Sequence, residues 1–498
     1  MKEPRKYILA LDQGTTSSRA LVFNRSGEIK GFSQEEFPQI FSQPGWVEHD
    51  PEVLWASQLK VLQKAMKNAG ISGNELSGIG ITNQRETALA WDRKTGDPLF
   101  NAIVWQDRRT SSLCSELKEK GVEDLICKKT GLVLDPYFSA TKWKWMLDHV
   151  PEVRRKAESN DLLLGTVDTW LMWKLTGGKL HISDVTNASR TMLMNIHTLE
   201  WDRELLDLFG IPFEAMPELR SCSEIYANTE RGILHAEVPL GGMAGDQQAA
   251  SFGQMCTEPW QVKCTYGTGC FILCNTGSKA VLSKNRLLTT IALQLGDSVS
   301  YAIEGSIFAG GSVIQWLRDG LGLISDSDSA ESLAREVQDN GGVYMVPAFT
   351  GLGAPYWDPD ARGLITGLGR ESAAGHIARS ALECIAYQVA DVSGAMQNDA
   401  GRKISMIKVD GGASRNDLLM QFQADILNIP VLRPQNTETT AQGAAYLAGL
   451  STGLWENLDE IKSLWKPEQE FRPSMREVTR EMLLTGWKKA IERCRSGY

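Results

Sequence analysis

The 498-residue sequence has no Gly-x4-Gly-Lys-Ser/Thr segment, so a P-loop is excluded and any phosphate must be held another way. It has no apolar run near the ~20 residues needed to cross a bilayer, which excludes stable membrane insertion. The apolar stretch that follows "MKEPRK" stops at Asp12, too short for the hydrophobic segment of a signal peptide. Positive charge is not in excess: 52 Lys and Arg face 61 Asp and Glu, a net charge of −9 that argues against nucleic-acid binding. Cysteines with metal spacing are also missing. The nine present are scattered, and Cys264, Cys270 and Cys274 lack the CxxC interval and a nearby histidine. They read as small buried apolar residues in a reduced, cytoplasmic protein.

What remains is the composition of a soluble globular chain, 42% apolar and 23% charged. Its length exceeds one ordinary core, so two or three domains are expected. "KYILALDQGTTSSRALVFNRSGEIKGFSQEEF" predicts a three-strand antiparallel meander with a tight polar turn between its first two strands. "HDPEVLWASQLKVLQKAMKNAG" predicts a helix capped by Asp50, with Pro51 in its first turn and Gly70 after its end. A strand running into a polar loop follows in "LSGIGITNQRE". The same grammar returns in "QVKCTYGTGCFILCNTG", "LLTTIALQLGDSVSYAIEGSIF" and "AGGSVIQWLRDGLGL". The halves share a layout rather than a sequence repeat, with a boundary near residues 253–259. Two α/β domains in tandem leave a cleft between them, a favoured place for a ligand.

Two polar turns occupy equivalent places in the two halves: Asp12 to Arg19, and Tyr266–Gly267–Thr268–Gly269. Each reads either as ordinary hairpin chemistry or as an anion-binding nest of backbone N–H groups and hydroxyls. Facing one cleft, they would grip a polyphosphate from both sides. With "VDGGASRN" (409–416) as a third element, this layout resembles the actin, heat-shock chaperone and hexokinase ATPase superfamily. "YFSATKWKWMLDH" (137–149) and "GLITGLGRESAAGHIARSALE" (363–383) resemble the two signatures of the FGGY carbohydrate kinases. Within that family, "GWVEHDP", "GITNQRET", "NAIVWQDRRT", "GLVLDPYFSATK", "TVDTWLMWKLTGG", "GMAGDQQAA" and "GLGAPYWDP" resemble the glycerol-phosphorylating branch, and the likeness runs from about residue 6 to 475.

The resemblance implies an α/β fold of two tandem actin-like (ribonuclease H-like) ATPase domains, residues 1–254 and 255–498, with a cleft between them. It implies phosphorylation of glycerol by ATP with Mg²⁺, and assembly as a homo-dimer or tetramer. By the same resemblance Arg85, Glu86, Tyr137, Asp246 and Gln247 bind the polyol, while Trp105 and Phe271 wall its carbon chain. Asp246 is the implied general base, because an attacking alcohol must lose a proton. Asp12 is implied to hold Mg²⁺ through water. Thr15, Thr16, Ser17, Arg19 and Thr268 face the phosphates, and Gly311, Gln315, Gly412 and Asn416 line the rest of the nucleotide site.

Blander readings stand beside these. Arg85 and Glu86 read equally as a solvated pair on a surface loop, Trp105 as core, and Asp246 as a helix N-cap. A sister kinase for a pentulose would keep the fold and change the polyol residues. A nucleotide-switched binding protein would leave those residues without a use. Some bacterial family members carry a Gly-Gly-x-Arg loop for fructose 1,6-bisphosphate before "AGDQ"; the stretch "NTERGILHAEVPLGGMAGDQ" has none, and His235 within it reads as an exposed, uninvolved residue. Kinase activity is therefore expected to persist at millimolar fructose 1,6-bisphosphate. A dose-dependent loss in a steady-state assay would overturn that expectation.

Overall fold

The computed structural model describes residues 5–358 and 360–495. Met1 to Pro4 of the N-terminal stretch, and Pro359 at the end of "GLGAPYWDP", lie outside the described residues. Six strands build the first sheet: β1 (Tyr7–Gln13), β2 (Ser17–Asn24), β3 (Ile29–Glu36), β4 (Leu76–Asn83), β5 (Ser223–Asn228) and β6 (Pro239–Gly245). Their spatial order is β5-β6-β4-β1-β2-β3. The meander β1–β2–β3 is antiparallel, whereas β4 runs parallel to both β1 and β6. Between β3 and β4 lies α1 (Pro51–Ala69), whose Asp50 cap accepts the Glu52 N–H at 2.8 Å and whose chain leaves through left-handed Gly70. Leu54, Val61, Leu62 and Ala65 form its buried stripe, as their spacing predicts.

The second sheet repeats this plan. Its strands are β7 (Val262–Tyr266), β8 (Cys270–Gly277), β9 (Leu288–Leu295), β10 (Ser298–Ile307), β11 (Ile407–Asp410), β12 (Val431–Pro434) and β13 (Pro467–Phe471), ordered β9-β10-β8-β7-β11-β12-β13. Again a hairpin opens the unit, a third strand pairs antiparallel with its second arm, and two parallel strands extend the other side. The hairpin loops correspond: residues 14–16 link β1 to β2, and 267–269 link β7 to β8.

Four helices matter for the cleft: α2 (Ser139–His149), α3 (Asp246–Gly253), α4 (Gly311–Asp319) and α5 (Asp417–Leu427). Trp143, Met146 and Leu147 of α2 are buried, so most of that signature segment is core. All nine cysteines are free and seven are buried, consistent with their reading as apolar fillers.

The halves are joined by α6 (Thr439–Ser451), which belongs to the second half of the chain but packs on the first sheet. Small residues allow this close approach. A Cβ on Gly443 would stand 1.9 Å from the Ala249 carbonyl oxygen in α3, and one on Gly80 of β4 would stand 2.0 Å from that of Ala444. Around this contact Ile8, Ala10, Phe23, Phe252, Ala445, Tyr446 and Trp455 share one apolar core drawn from both halves. Gly443→Ala is expected to force α6 off α3, costing about 1–3 kcal/mol as overpacking does. The check is a lower melting temperature by calorimetry than wild type, with a larger drop for Gly443→Val.

Candidate functional site

The loop after β4 carries Arg85 and Glu86. It is not the solvated surface pair that adjacent opposite charges first bring to mind, since each is only 2% exposed. Glu86 has φ of 62°, and the Thr87 N–H bonds back to the Arg85 carbonyl at 2.7 Å, closing a γ-turn of the strained positive-φ kind. Such a turn persists only where its surroundings hold it. Arg85 donates to both oxygens of Glu304 on β10, at 2.6 and 2.9 Å, and to Gln248 at 3.1 Å. Glu86 accepts from Arg190 Nε at 2.7 Å, and Arg190 Nη2 reaches Glu304 at 3.0 Å.

Burial opposes ionisation of Arg85, but Glu304, Glu86, Tyr137 and Asp246 together hold it protonated well above the ordinary arginine range. Burial likewise opposes the charge on Glu304, yet Arg190 and Arg85 bring its carboxyl down to about 2. For Glu86 burial wins over Arg85 and Arg190, and its carboxyl rises above the usual value.

Asp246 is not the N-cap of α3. Gly245 takes that position, and Asp246 is the first helical residue. Its Oδ1 accepts the Gln247 N–H at 2.7 Å and lies 3.2 Å from Arg85 Nε, so its direction is set on two sides. Among the described residues Oδ2 carries no hydrogen bond. Gln247 is oriented by Lys263 of β7, whose Nζ donates to Gln247 Oε1 at 2.5 Å and leaves the amide N–H₂ for another acceptor.

An aromatic wall closes over these polar groups. The Trp105 ring meets Tyr137 edge-on at 5.6 Å and Phe271 of β8 at 6.4 Å, so the wall also draws on both halves. Trp105 does more than fill core: its Nε1 donates to Thr15 Oγ1 at 2.9 Å and ties the wall to the first hairpin turn. Lys142 of α2 supports Tyr137 from below, donating to the Tyr137 and Phe138 carbonyls at 2.6 and 3.0 Å.

In the first turn Gly14 N–H bonds the Ser17 carbonyl at 2.9 Å, Thr16 is exposed, and Ser17 Oγ accepts from Gln34 at 3.1 Å. Asp12 and Arg19 face each other in register across β1 and β2, which explains their ion pair; Arg19 also donates to Glu438 at 2.6 Å. Asp12 is 2% exposed. Burial raises its carboxyl above the usual range, Arg19 pulls against that, and Glu438 and Asp246 add to the rise. A divalent cation would relieve this crowding of carboxylates, so the donor chemistry fits Mg²⁺. Among the described residues no group of three or more His, Cys, Asp or Glu is placed to hold a metal ion.

In the second half the exposed Thr268 tops the matching turn, and its carbonyl accepts the Gly310 N–H at 2.8 Å. Gly311 N–H bonds the Gly267 carbonyl at 2.8 Å, fastening the start of α4 to the turn, and Gln315 lies exposed one helical turn on. Gly411 has φ of 85° and a Cβ there would fall 2.6 Å from the Tyr266 carbonyl oxygen, so only glycine lets this loop lie against β7. Gly412 follows on the surface, and Asn416 caps α5 through the Leu419 N–H at 2.8 Å. His235 is exposed, as its surroundings in the sequence indicate.

The structure therefore brings Arg85, Glu86, Trp105, Tyr137, Asp246 and Phe271 into one cluster. Asp12, Thr15, Thr16, Ser17 and Arg19 belong to the first hairpin, Thr268 and Gly311 to the second turn and the helix start fastened to it, while Gln247 is held by Lys263 and Asn416 caps α5. The structure adds Gln248, which lies in "GMAGDQQAA" without an assigned role, and three charges outside every motif, Arg190, Lys263 and Glu304. Their one signal was charge inside an apolar pattern, as with Glu304 in "YAIEGSIF" and Lys263 in "QVKCTY".

Two copies of one sheet plan, each opening on a hairpin with a three-residue turn, define an actin-like ATPase-class fold. Residues 7–253 match the N-terminal domain of the FGGY family of carbohydrate kinases, and residues 262–452 match its C-terminal domain. A glycerol kinase of Parabacteroides distasonis is 57% identical over 488 residues, 98% of each chain. One from Burkholderia cenocepacia is 56% identical over 486 residues, 98% of this chain and 97% of that one. The crystal structure of Plasmodium falciparum glycerol kinase with ADP superposes with a TM-score of 0.91 at 37% identity, covering 98% of both chains. A ligand-bound xylulose kinase from Lactobacillus acidophilus shares the fold, with a TM-score of 0.88 at 22% identity and 98% coverage of both. The chain belongs to the FGGY family of carbohydrate kinases.

Burial pushes Lys142 down to about 7 from 10.5, and its two carbonyl acceptors match the two N–H bonds of a neutral amine. Between those values the unfolded chain holds the extra proton, so this residue's contribution to stability grows as pH rises from about 7. Denaturation midpoints across this range should show wild type gaining on Lys142→Met with rising pH; a constant difference would refute the neutral-amine assignment.

Proposed function

We propose that the protein phosphorylates glycerol with ATP to give sn-glycerol 3-phosphate. The observation that carries this reading is the contact of Asp246 with Arg85 beside the Trp105–Tyr137–Phe271 wall, a group of donors and an acceptor next to an apolar face that suits a three-carbon polyol. Its full-length likeness to glycerol kinases supports the choice of substrate. Arg85, Glu86, Tyr137 and Gln247 hold the hydroxyls, and Asp246 takes the proton of the attacking one. The alcohol oxygen bonds to the γ-phosphorus as the bond to the β-phosphate oxygen breaks, releasing ADP.

In this reading Thr15, Thr16, Ser17 and Arg19 face the phosphates from the first turn and Thr268 from the second, with Gly311, Gln315, Gly412 and Asn416 toward the nucleoside. Asp12 would hold Mg²⁺ through water, and the ion would supply neutralisation of phosphate charge. We place the domain division at residues 254/255, in the segment between the two matched family domains. Closure of one half on the other expels water that would otherwise hydrolyse ATP. The protein acts in the cytoplasm as a homo-dimer or tetramer. No helix among the described residues is long and apolar enough to cross a membrane.

The test is ADP release from Mg·ATP with glycerol, with xylulose and with no acceptor, for wild type and Asp246→Asn. Release should require glycerol and fall by about 10²–10⁴-fold in the variant, the usual worth of a positioned base. Release without any acceptor would favour a nucleotide switch. Release with xylulose alone would reassign the substrate.

A further inference from the structure

We propose that Glu304 and Arg190 are positioning residues for the polyol site, closing a buried ring of alternating charge that holds Arg85 and Glu86 in place only when the two halves of the chain are together. Four contacts make the ring: Arg85 to Glu304 at 2.6 Å, Glu304 to Arg190 at 3.0 Å, Arg190 to Glu86 at 2.7 Å and Glu86 to Arg85 at 3.8 Å. No side chain in it is more than 2% exposed. Two positive and two negative groups balance, so the ring is neutral as a whole.

Arg85, Glu86 and Arg190 come from the first half, and Glu304 alone comes from the second, in the middle of β10. An arginine that faces a carboxylate through two parallel bonds is fixed in plane as well as in distance. Arg85 is fixed in this way by Glu304, which leaves its Nε 3.2 Å from Asp246 Oδ1. Arg190 in turn lies beneath Tyr137 and Phe138, its guanidinium carbon 5.8 and 5.4 Å from their ring centres. Its Nη1 is buried and, among the described residues, has no hydrogen-bond partner, so both of its N–H groups are left over from the ring. Neither residue needs to touch the reacting atoms. Their effect is to set the two groups that do hold the polyol, and to make that setting depend on contact between the halves.

This inference rests on the proposed polyol site, and its test separates the two. Glycerol affinity is read without nucleotide by calorimetry, and KM for glycerol and for ATP by coupled assay, in wild type, Glu304→Gln, Glu304→Asp and the charge-balanced pair Arg190→Met/Glu304→Gln. Melting temperature is recorded for each. Glu304→Gln should weaken glycerol binding and raise its KM about 10–100-fold, as loss of a charge-assisted bond does, with KM for ATP within about twofold of wild type. The balanced pair should recover melting temperature over Glu304→Gln and not recover glycerol affinity, which a purely structural role would restore. Glu304→Asp, with the charge kept and the reach shortened, should fall between wild type and Glu304→Gln, and it decides the matter if Glu304→Gln does not fold. Unchanged glycerol affinity in a folded variant, or its full return in the balanced pair, would overturn the proposal. If wild type takes xylulose and not glycerol, the substrate reading fails, and the same measurements with xylulose still judge the ring.

Discussion

The cleft depends on one constraint: charge taken out of water has to be met by charge. A single buried arginine or carboxylate without its partner would cost several kcal/mol. Arg85, Glu86, Arg190 and Glu304 avoid that by meeting one another, and their bonds cross from one half of the chain to the other. The same bonds stabilise the positive-φ turn at Glu86, whose backbone strain has no local compensation beyond the Thr87–Arg85 contact. Polar site and interdomain joint are therefore one structure, and neither can be altered alone.

Around it the fold provides two copies of a hairpin turn and a closely packed joint. The turns at residues 14–16 and 267–269 have equal length and equivalent places, although their sequences differ. Each is fastened differently: the first by Trp105 on Thr15, the second by the opening N–H groups of α4. The joint is α6, lent by the second half to the first sheet and fitted there through glycine and alanine, where backbone touches backbone. A contact of that kind tolerates little sliding, which suits a site whose groups must stay aligned to fractions of an ångström.

Much of this was legible beforehand because it is local. The meander, the capped helix after it, the returning hairpin and the strand–Gly-Gly–helix all follow from residues that lie next to one another. The residues proposed for the polyol and the phosphates were singled out beforehand too, through motifs spread along nearly the whole chain. Arg190, Gln248, Lys263 and Glu304 were not. Glu304 and Lys263 are single charges in largely apolar strands, Arg190 stands among small polar residues, Gln248 follows Asp246 and Gln247, and nothing near them in sequence tells a paired buried group from an exposed one. The adjacent pair Arg85–Glu86 shows the same difficulty from the other side, since its neighbours permit a solvated loop and only the fold buries it.

By itself, then, the sequence determined the elements, the duplication and the chemistry on offer, since periodicity, turn residues and motif spacing act over short stretches of chain. Tertiary structure alone decided which charges are buried, which carboxylate faces which arginine, and that Asp246 begins its helix while Gly245 caps it. Those outcomes depend on Coulomb energy and desolvation between residues up to 419 positions apart, a distance at which sequence order carries no record of contact.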